Sequence, residues 1–391
     1  MKIGWRENMS VNHHAKNAES PPRDDRTASG DKSKNQTAQK RPRKGRRLYA
    51  ALDLGTNNCR LLIVERDGNN GFLVRDGFSR IVRLGEGLER SGRLSENAMN
   101  RTIAALRICA GKIRRAGISR MRCVATEACR GAENGEEFIK RVKRETGLRL
   151  EIIDGKAEAE LAAIGCGSLF NPHVDDIILF DIGGGSTEVS RLSRQENNFF
   201  KLVDSDSLPL GVVRLAERHA GAGPYEHGYE GMLNESETRL KEFMDRQENI
   251  TDMTKLQIIG TSGTVTTLAA VQLGLARYDR NVVDGCTIAA PDITRVIGDL
   301  RKLSRDELAE NPCIGKERAD LVLAGCAVLE AIYRRWSVDE VSVADRGLRE
   351  GLLLRMIRSD NRRGGRNRGR NKRNHYRRGS SFKNSGQNNE Q

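Results

Sequence analysis

Two Asp-x-Gly turns carry the most pointed chemistry in this sequence. Asp53 lies in LYAALDLGTNNCRLLIVERDG, residues 48–68, and Asp181 lies in DIILFDIGGGSTEVSRLSRQ, residues 176–195. In each, an apolar run ends in the aspartate, a small polar turn follows, and a second apolar or alternating run returns. That pattern predicts a β-hairpin. Gly55, Gly183, Gly184 and Gly185 leave the turn backbone open, so its N–H groups can form a nest for an anion. Thr56, Asn57, Ser186 and Thr187 add neutral donors. An aspartate at each strand end can hold a divalent cation directly or through water. The two aspartates stand 128 residues apart, about one domain length. The repeat predicts two related lobes gripping one phosphate chain from both sides. The plainer alternative is two ordinary hairpins whose aspartates bond only their own turns.

A third segment points the same way. IIGTSGTVTTLAAVQLGL, residues 258–275, reads as a strand, a Gly-rich turn and a helix. Free N–H groups and the dipole at such a helix start favour anions, with Gly260, Ser262, Gly263 and Thr264 at the turn. By itself this is also a common strand-to-helix connection.

Residues 122–168 supply candidates for acid–base work. They read as a strand (RCVAT), a loop, a helix closed by Gly147, a strand (LRLEII), an Asp154-Gly155 turn and a helix. Arg130 falls in the loop, where a guanidinium can clamp phosphate. Glu158 falls in the first turn of the last helix, where a carboxylate can project into a cleft and polarise water. On the residues alone, Glu158 reads more simply as a helix-start acid complementing the dipole.

The elements that must position these groups occupy a body between two basic arms. The chain has 391 residues and a net charge of +14. Residues 1–47 carry 13 basic and 5 acidic side chains, and residues 359–391 carry 10 and 2. The body between them is close to neutral, so the basic balance belongs to the arms. Neither arm has hydrophobic periodicity, and both are expected to be disordered. They read either as solubilising tails or as tethers for RNA or another polyanion, with Tyr376 and Phe382 available for stacking. No apolar stretch approaches the ~20 residues of a membrane span, and the N-terminus lacks a signal-peptide run. A soluble, cytoplasmic chain without a membrane partner is expected. The eight cysteines form no CxxC pair and read as small buried hydrophobes. The six histidines do not cluster, which argues against zinc.

Seven stretches of the body resemble the exopolyphosphatase/guanosine pentaphosphate phosphatase (Ppx/GppA) family. In order they are ALDLGTNNCRLLIVE, VATEACRGAENGEEF, EIIDGKAEAELAAIG, ILFDIGGGSTEVS, LPLGVVRLAE, IIGTSGTVTTL and SVADRGLREGLL, spanning about 50–355. The resemblance implies an α/β, two-lobed actin/Hsp70/sugar-kinase-like fold, built from duplicated ribonuclease H-like domains around a cleft. The expected division is a basic arm over 1–47, domain I over 48–165 with a returning helix over 345–358, domain II over 166–344, and a tail over 359–391. Glu158 then matches the family's general base and Arg130 its phosphate-binding arginine. Asp53, Asp181 and Glu188 match acids near Mg²⁺, and the hairpin loops match the phosphate loops. Ala157 replaces an acidic neighbour of the base, and Glu127 stands where a small or polar residue is usual. Long members carry a helical C-terminal extension. Its place here is taken by the tail, as in the short two-domain type.

The implied activity is Mg²⁺-assisted hydrolysis of the terminal phosphoanhydride of polyphosphate, or of the 5′ γ-phosphate of guanosine pentaphosphate, a stringent-response nucleotide. A homodimer is also implied. Two other readings stay open: an actin-like ATPase or sugar kinase on the same fold, and an RNA-associated protein acting through its arms.

Overall fold

The computed structural model describes residues 47–68, 71–196, 199–220, 227–336 and 338–361. The basic arms, with Tyr376 and Phe382, lie almost wholly outside the described residues.

Two sheets organise the chain. The first contains β1 (Leu48–Leu54), β2 (Asn58–Arg66), β3 (Phe72–Ile81), β4 (Arg120–Ala125) and β5 (Leu150–Ile152), in the order β3-β2-β1-β4-β5. The second contains β6 (Asp176–Ile182), β7 (Thr187–Arg194), β8 (Phe200–Leu208), β9 (Leu256–Thr261), β10 (Thr287–Ala289) and β11 (Glu340–Ala344), in the order β10-β11-β9-β6-β7-β8. Without the edge strand β10, the second order repeats the first. In both sheets the first three strands are antiparallel and the next two are parallel.

The repeat extends to details of register. Asp53 pairs with Arg60 and Asp181 with Glu188. Arg60 then pairs with Ser79 and Glu188 with Ser207. A bulge follows between Ile63 and Val64 in one lobe, and between Arg191 and Leu192 in the other. Each of these correspondences keeps the same offset as the two aspartates.

Strands buried on both faces read as continuous apolar runs. In β1, Tyr49 and Ala51 point to one core while Ala50, Leu52 and Leu54 point to another. In β6, Ile177 and Leu179 share the core of Tyr49, and Ile178, Phe180 and Ile182 face a third. The shared core lies between the sheets and holds the helices Gly155–Cys166 and 348–361. Those helices cross closely: a Cβ on Gly351 would overlap the Leu161 backbone, and one on Gly165 would overlap that of Gly347. Glycine is therefore required at the crossing. The helix over 348–361 also reaches the first sheet, where Asp360 accepts from Tyr49 and pairs with Arg120. Other helices cover the outer faces, Glu96–Ala116 and Gly135–Thr146 on the first sheet and Ser262–Gln272 and Val322–Arg335 on the second.

Seven of the eight cysteines are buried, Cys286 is partly so, and all are free thiols. No helix among the described residues is long and apolar enough to cross a membrane.

Candidate active site

The two hairpin turns face each other. Both are closed by the same bond: Gly55 N–H donates to Asn58 O and Gly183 N–H to Ser186 O, each at 2.9 Å. A Cβ on Gly184 would lie 3.0 Å from Asn57 Cβ and 3.1 Å from Thr56 Cβ, so the opposing loops meet there. Between them lies a cavity bounded by Asp53, Gly55, Thr56, Asn57, Glu158, Asp181, Gly183, Gly184, Gly185, Ser186, Glu188, Ser262, Gly263 and Thr264.

Two expected residues fall elsewhere, and a third is held differently from the expectation. Thr187 is fully buried and its hydroxyl donates to the Leu210 carbonyl. Gly260 lies within β9, where a Cβ would press on the Phe180 ring. Arg130 stands beside Glu158, and its expected loop is the short helix Glu127–Gly131. Its guanidinium donates to Glu127 Oε2 at 2.8 Å and to Ile153 O at 2.7 Å, and it lies 3.5 Å from Glu158 Oε2.

Local sequence explains how Glu158 arrives. Asp154 caps its helix by accepting from Ala157 N–H at 2.7 Å, which places Glu158 in the first turn. Burial raises its carboxyl well above the usual range. Negative charge on Glu188, Asp181 and Asp53 adds to the rise, and Arg130 opposes it. Glu158 Oε2 is buried without a hydrogen-bond partner among the described residues, as is Asn57 Oδ1.

The other acids respond to the same crowding. Burial raises Asp53, with Arg60 opposing. Burial pushes Asp181 up to about 6, with Arg60 opposing and Asp53 adding. Glu188 is pushed up to about 7 by burial and by Asp181, although Ser186 and Ser207 each donate a hydroxyl to its Oε1, at 2.7 and 2.8 Å. Four carboxylates thus share a space that disfavours their ionisation. Together with the two orphaned acceptors, this is a donor set suited to positive charge. No three of the acids among the described residues converge closely enough to ligate one ion by themselves. Any cation here would need water or a ligand oxygen to complete its shell.

Arg60 and Arg318 also border the cavity, and sequence reasoning missed both. Arg60 was legible, because period-two alternation puts it on the strand face beside Asp53. Arg318 precedes the helix Val322–Arg335 in an irregular segment that gives no such signal. It donates to Thr267 Oγ1 at 3.0 Å, and burial lowers its guanidinium, with Arg60 adding to the effect. Two cations close to each other and an array of loop N–H groups suit a polyanion. Ser262, at the helix start, is held at φ 84°, a left-handed conformation costly for serine.

Glu127 also gains a role. It receives Arg130 from its own lobe and Arg214 from the other, at 3.4 Å. Arg214 and Arg218 both reach back to Glu89, at 2.6 and 2.7 Å. The cleft is bridged by charge at this side.

The Ppx/GppA phosphatase family model matches residues 64–360. The chain belongs to the Ppx/GppA phosphatase family. It is 30% identical to exopolyphosphatase 2 of Mycobacterium tuberculosis over 78% of this chain and 97% of that protein. It is 28% identical to the guanosine-5′-triphosphate,3′-diphosphate pyrophosphatase of Aeromonas salmonicida, over 79% of this chain and 59% of that one. It spans less than half of another relative, a bifunctional 3-dehydroquinate synthase/phosphatase. The crystal structure of an exopolyphosphatase from Cytophaga hutchinsonii superposes with a TM-score of 0.71 at 25% identity, covering 80% of this chain and 98% of that one. The two-lobed α/β fold expected from the sequence is therefore the family's fold.

Proposed function

We propose that the chain hydrolyses a terminal phosphoanhydride, of polyphosphate or of guanosine pentaphosphate, in the cleft between its hairpins. The observation that carries this reading is the buried Glu158 carboxylate facing two phosphate-type loops. The terminal phosphate lies between Gly55–Asn57 and Gly183–Ser186, where loop N–H groups stabilise charge on the transferring phosphoryl group. Arg60 and Arg318 receive the remaining phosphates. Glu158 takes a proton from water as the water oxygen bonds to phosphorus, and the bridging P–O bond breaks toward the shortened chain or nucleotide. Burial and neighbouring acids raise the proton affinity of Glu158, and Arg130, 3.5 Å from its Oε2, favours the ionised form that accepts the proton.

Asp53, Asp181 and Glu188 are the residues that would hold Mg²⁺, which screens phosphate charge when bound. We divide the body into domain I over 48–165 plus 345–358 and domain II over 166–344, so that each contributes one hairpin. The basic arms are taken as accessory concentrators of polyanion, and a homodimer is the proposed assembly.

The test is phosphate release by purified protein with Mg²⁺ from short polyphosphate, long polyphosphate, guanosine pentaphosphate and ATP in parallel. Release from one of the first three is expected. Release from ATP alone would favour a kinase or ATPase, and release from none would sink the reading.

A further inference from the structure

Glu127 stands where the two lobes meet the phosphate cleft. Its side chain borders the cleft and also a small adjoining cavity, which touches Thr56, Gly185 and Arg214. A Cβ on Gly185, in the second hairpin turn, would lie 3.0 Å from Glu127 Cγ. The acid is therefore packed against a loop proposed to hold the terminal phosphate.

Both of its carboxylate oxygens are engaged by guanidinium groups. Oε2 accepts from Arg130 Nε at 3.1 Å and from Arg130 Nη2 at 2.8 Å. Oε1 lies 3.4 Å from Nη2 of Arg214, which comes from the other lobe. The three side chains are only 15 to 23% exposed, so solvent screens them partly. Two guanidiniums converging on one anionic group form the arrangement that binds a phosphate. Here the protein supplies the anion itself. Arg130 also lies 3.5 Å from Glu158 Oε2, so this pair of cations stands beside the proposed general base.

We propose that Glu127 is an internal competitor of the substrate: its carboxylate takes the place of a phosphate group between Arg130 and Arg214 and so sets the affinity of the site. The inference rests on the phosphatase reading above and deepens it. A terminal phosphate brings up to about two negative charges and three acceptor oxygens, against one charge and two oxygens on Glu127. It can displace the acid, whereas a singly charged anion gains little by the exchange. Displacement leaves an unpaired carboxylate beside a bound anion, and that like-charge contact opposes binding. The acid thus selects for multiply charged phosphate and holds affinity below what the two arginines would give if free.

The test is calorimetric titration of the full-length protein with imidodiphosphate, which has no bridging P–O bond to hydrolyse, beside the KM for tripolyphosphate. Glu127→Ser is expected to bind imidodiphosphate roughly tenfold tighter, as two released charged donors allow, and to lower KM by a similar factor. Glu127→Gln keeps an acceptor for Arg130 but turns a donor toward Arg214, and should tighten binding by about threefold. It carries the same test should Glu127→Ser fail to fold. Adding Arg214→Ala to either variant should remove most of the gain, the non-additivity of groups that share one ligand. Unchanged or weaker binding in the Glu127 variants overturns the proposal, as does a gain that survives Arg214→Ala. Tighter binding without hydrolysis of any substrate would leave the inference standing and remove the phosphatase reading. Hydrolysis with no gain in either variant would do the reverse.

Discussion

The hairpins of β1–β2 and β6–β7 share a fold and differ in charge. Turn length, closing hydrogen bond, strand register and bulge position all repeat. Yet the residue paired with the aspartate is Arg60 in one lobe and Glu188 in the other. One hairpin is an acid–cation pair and the other an acid–acid pair. Arg60 lowers Asp53 in its own lobe and Asp181 across the cleft. Duplication supplied the cradle twice, and the divergence of one strand position made the two halves complementary. The second hairpin gathers negative charge, and the first returns a cation to it.

The largest effect should come from the group that neither hairpin contains. Glu158→Gln is expected to cut kcat by ~10²–10⁴-fold while leaving substrate binding nearly intact. Turnover near that of the unaltered protein would remove Glu158 from the mechanism.

Next come the diverged positions themselves. Arg60→Ala should raise KM more than it lowers kcat, because it removes a cation from the phosphate track. Glu188→Gln should lower kcat more, with a weaker response to added Mg²⁺. Initial-rate kinetics over a range of Mg²⁺ concentrations reads both. Identical profiles would mean that the charge asymmetry has no functional content.

The turn glycines sharpen the same comparison at smaller scale. A Cβ at position 184 meets Asn57 and Thr56 at about 3.0–3.1 Å, whereas at position 55 it meets Asn58 O at 3.6 Å. Gly184→Ala should therefore raise KM several-fold, and Gly55→Ala should change it less than twofold. Equal effects would show that the loops do not close on each other as described.

The smallest effect concerns stability. Asp181 and Glu188, pushed up to about 6 and 7, retain protons in the folded protein at pH values where the unfolded chain has released them. The stability they contribute is present below about pH 4 and is lost as pH rises through 6 to 7. Protein freed of metal by a chelator should melt a few degrees lower at pH 8 than at pH 5.5 from this source. Asp181→Asn should flatten the dependence while abolishing turnover. Thermal melts across that range check it.

Much of this arrangement was legible in the residues. Glycine-rich turns between apolar runs marked both hairpins, and the Asp154 cap marked the start of the Glu158 helix. The misses have physical causes. The hairpin motif predicts Thr187 among its donors, but strand alternation sends it to the face opposite Ser186 and Glu188. The three-residue β10 is too short to carry a pattern. Arg214 and Glu127 meet only because the lobes fold together, and Arg318 comes from an irregular segment far along the chain. Contacts made by tertiary closure leave no local spacing to read.

The central claim is that water, activated by Glu158, attacks the terminal phosphorus. The most direct measurement is hydrolysis in ¹⁸O-labelled water, followed by mass spectrometry of the products. The account predicts one ¹⁸O atom in the released orthophosphate, none in the shortened chain or nucleotide, and in Glu158→Gln the same labelling at a rate lower by ~10²–10⁴-fold. Label in the shortened product, or phosphate passed to an acceptor without label, would contradict it.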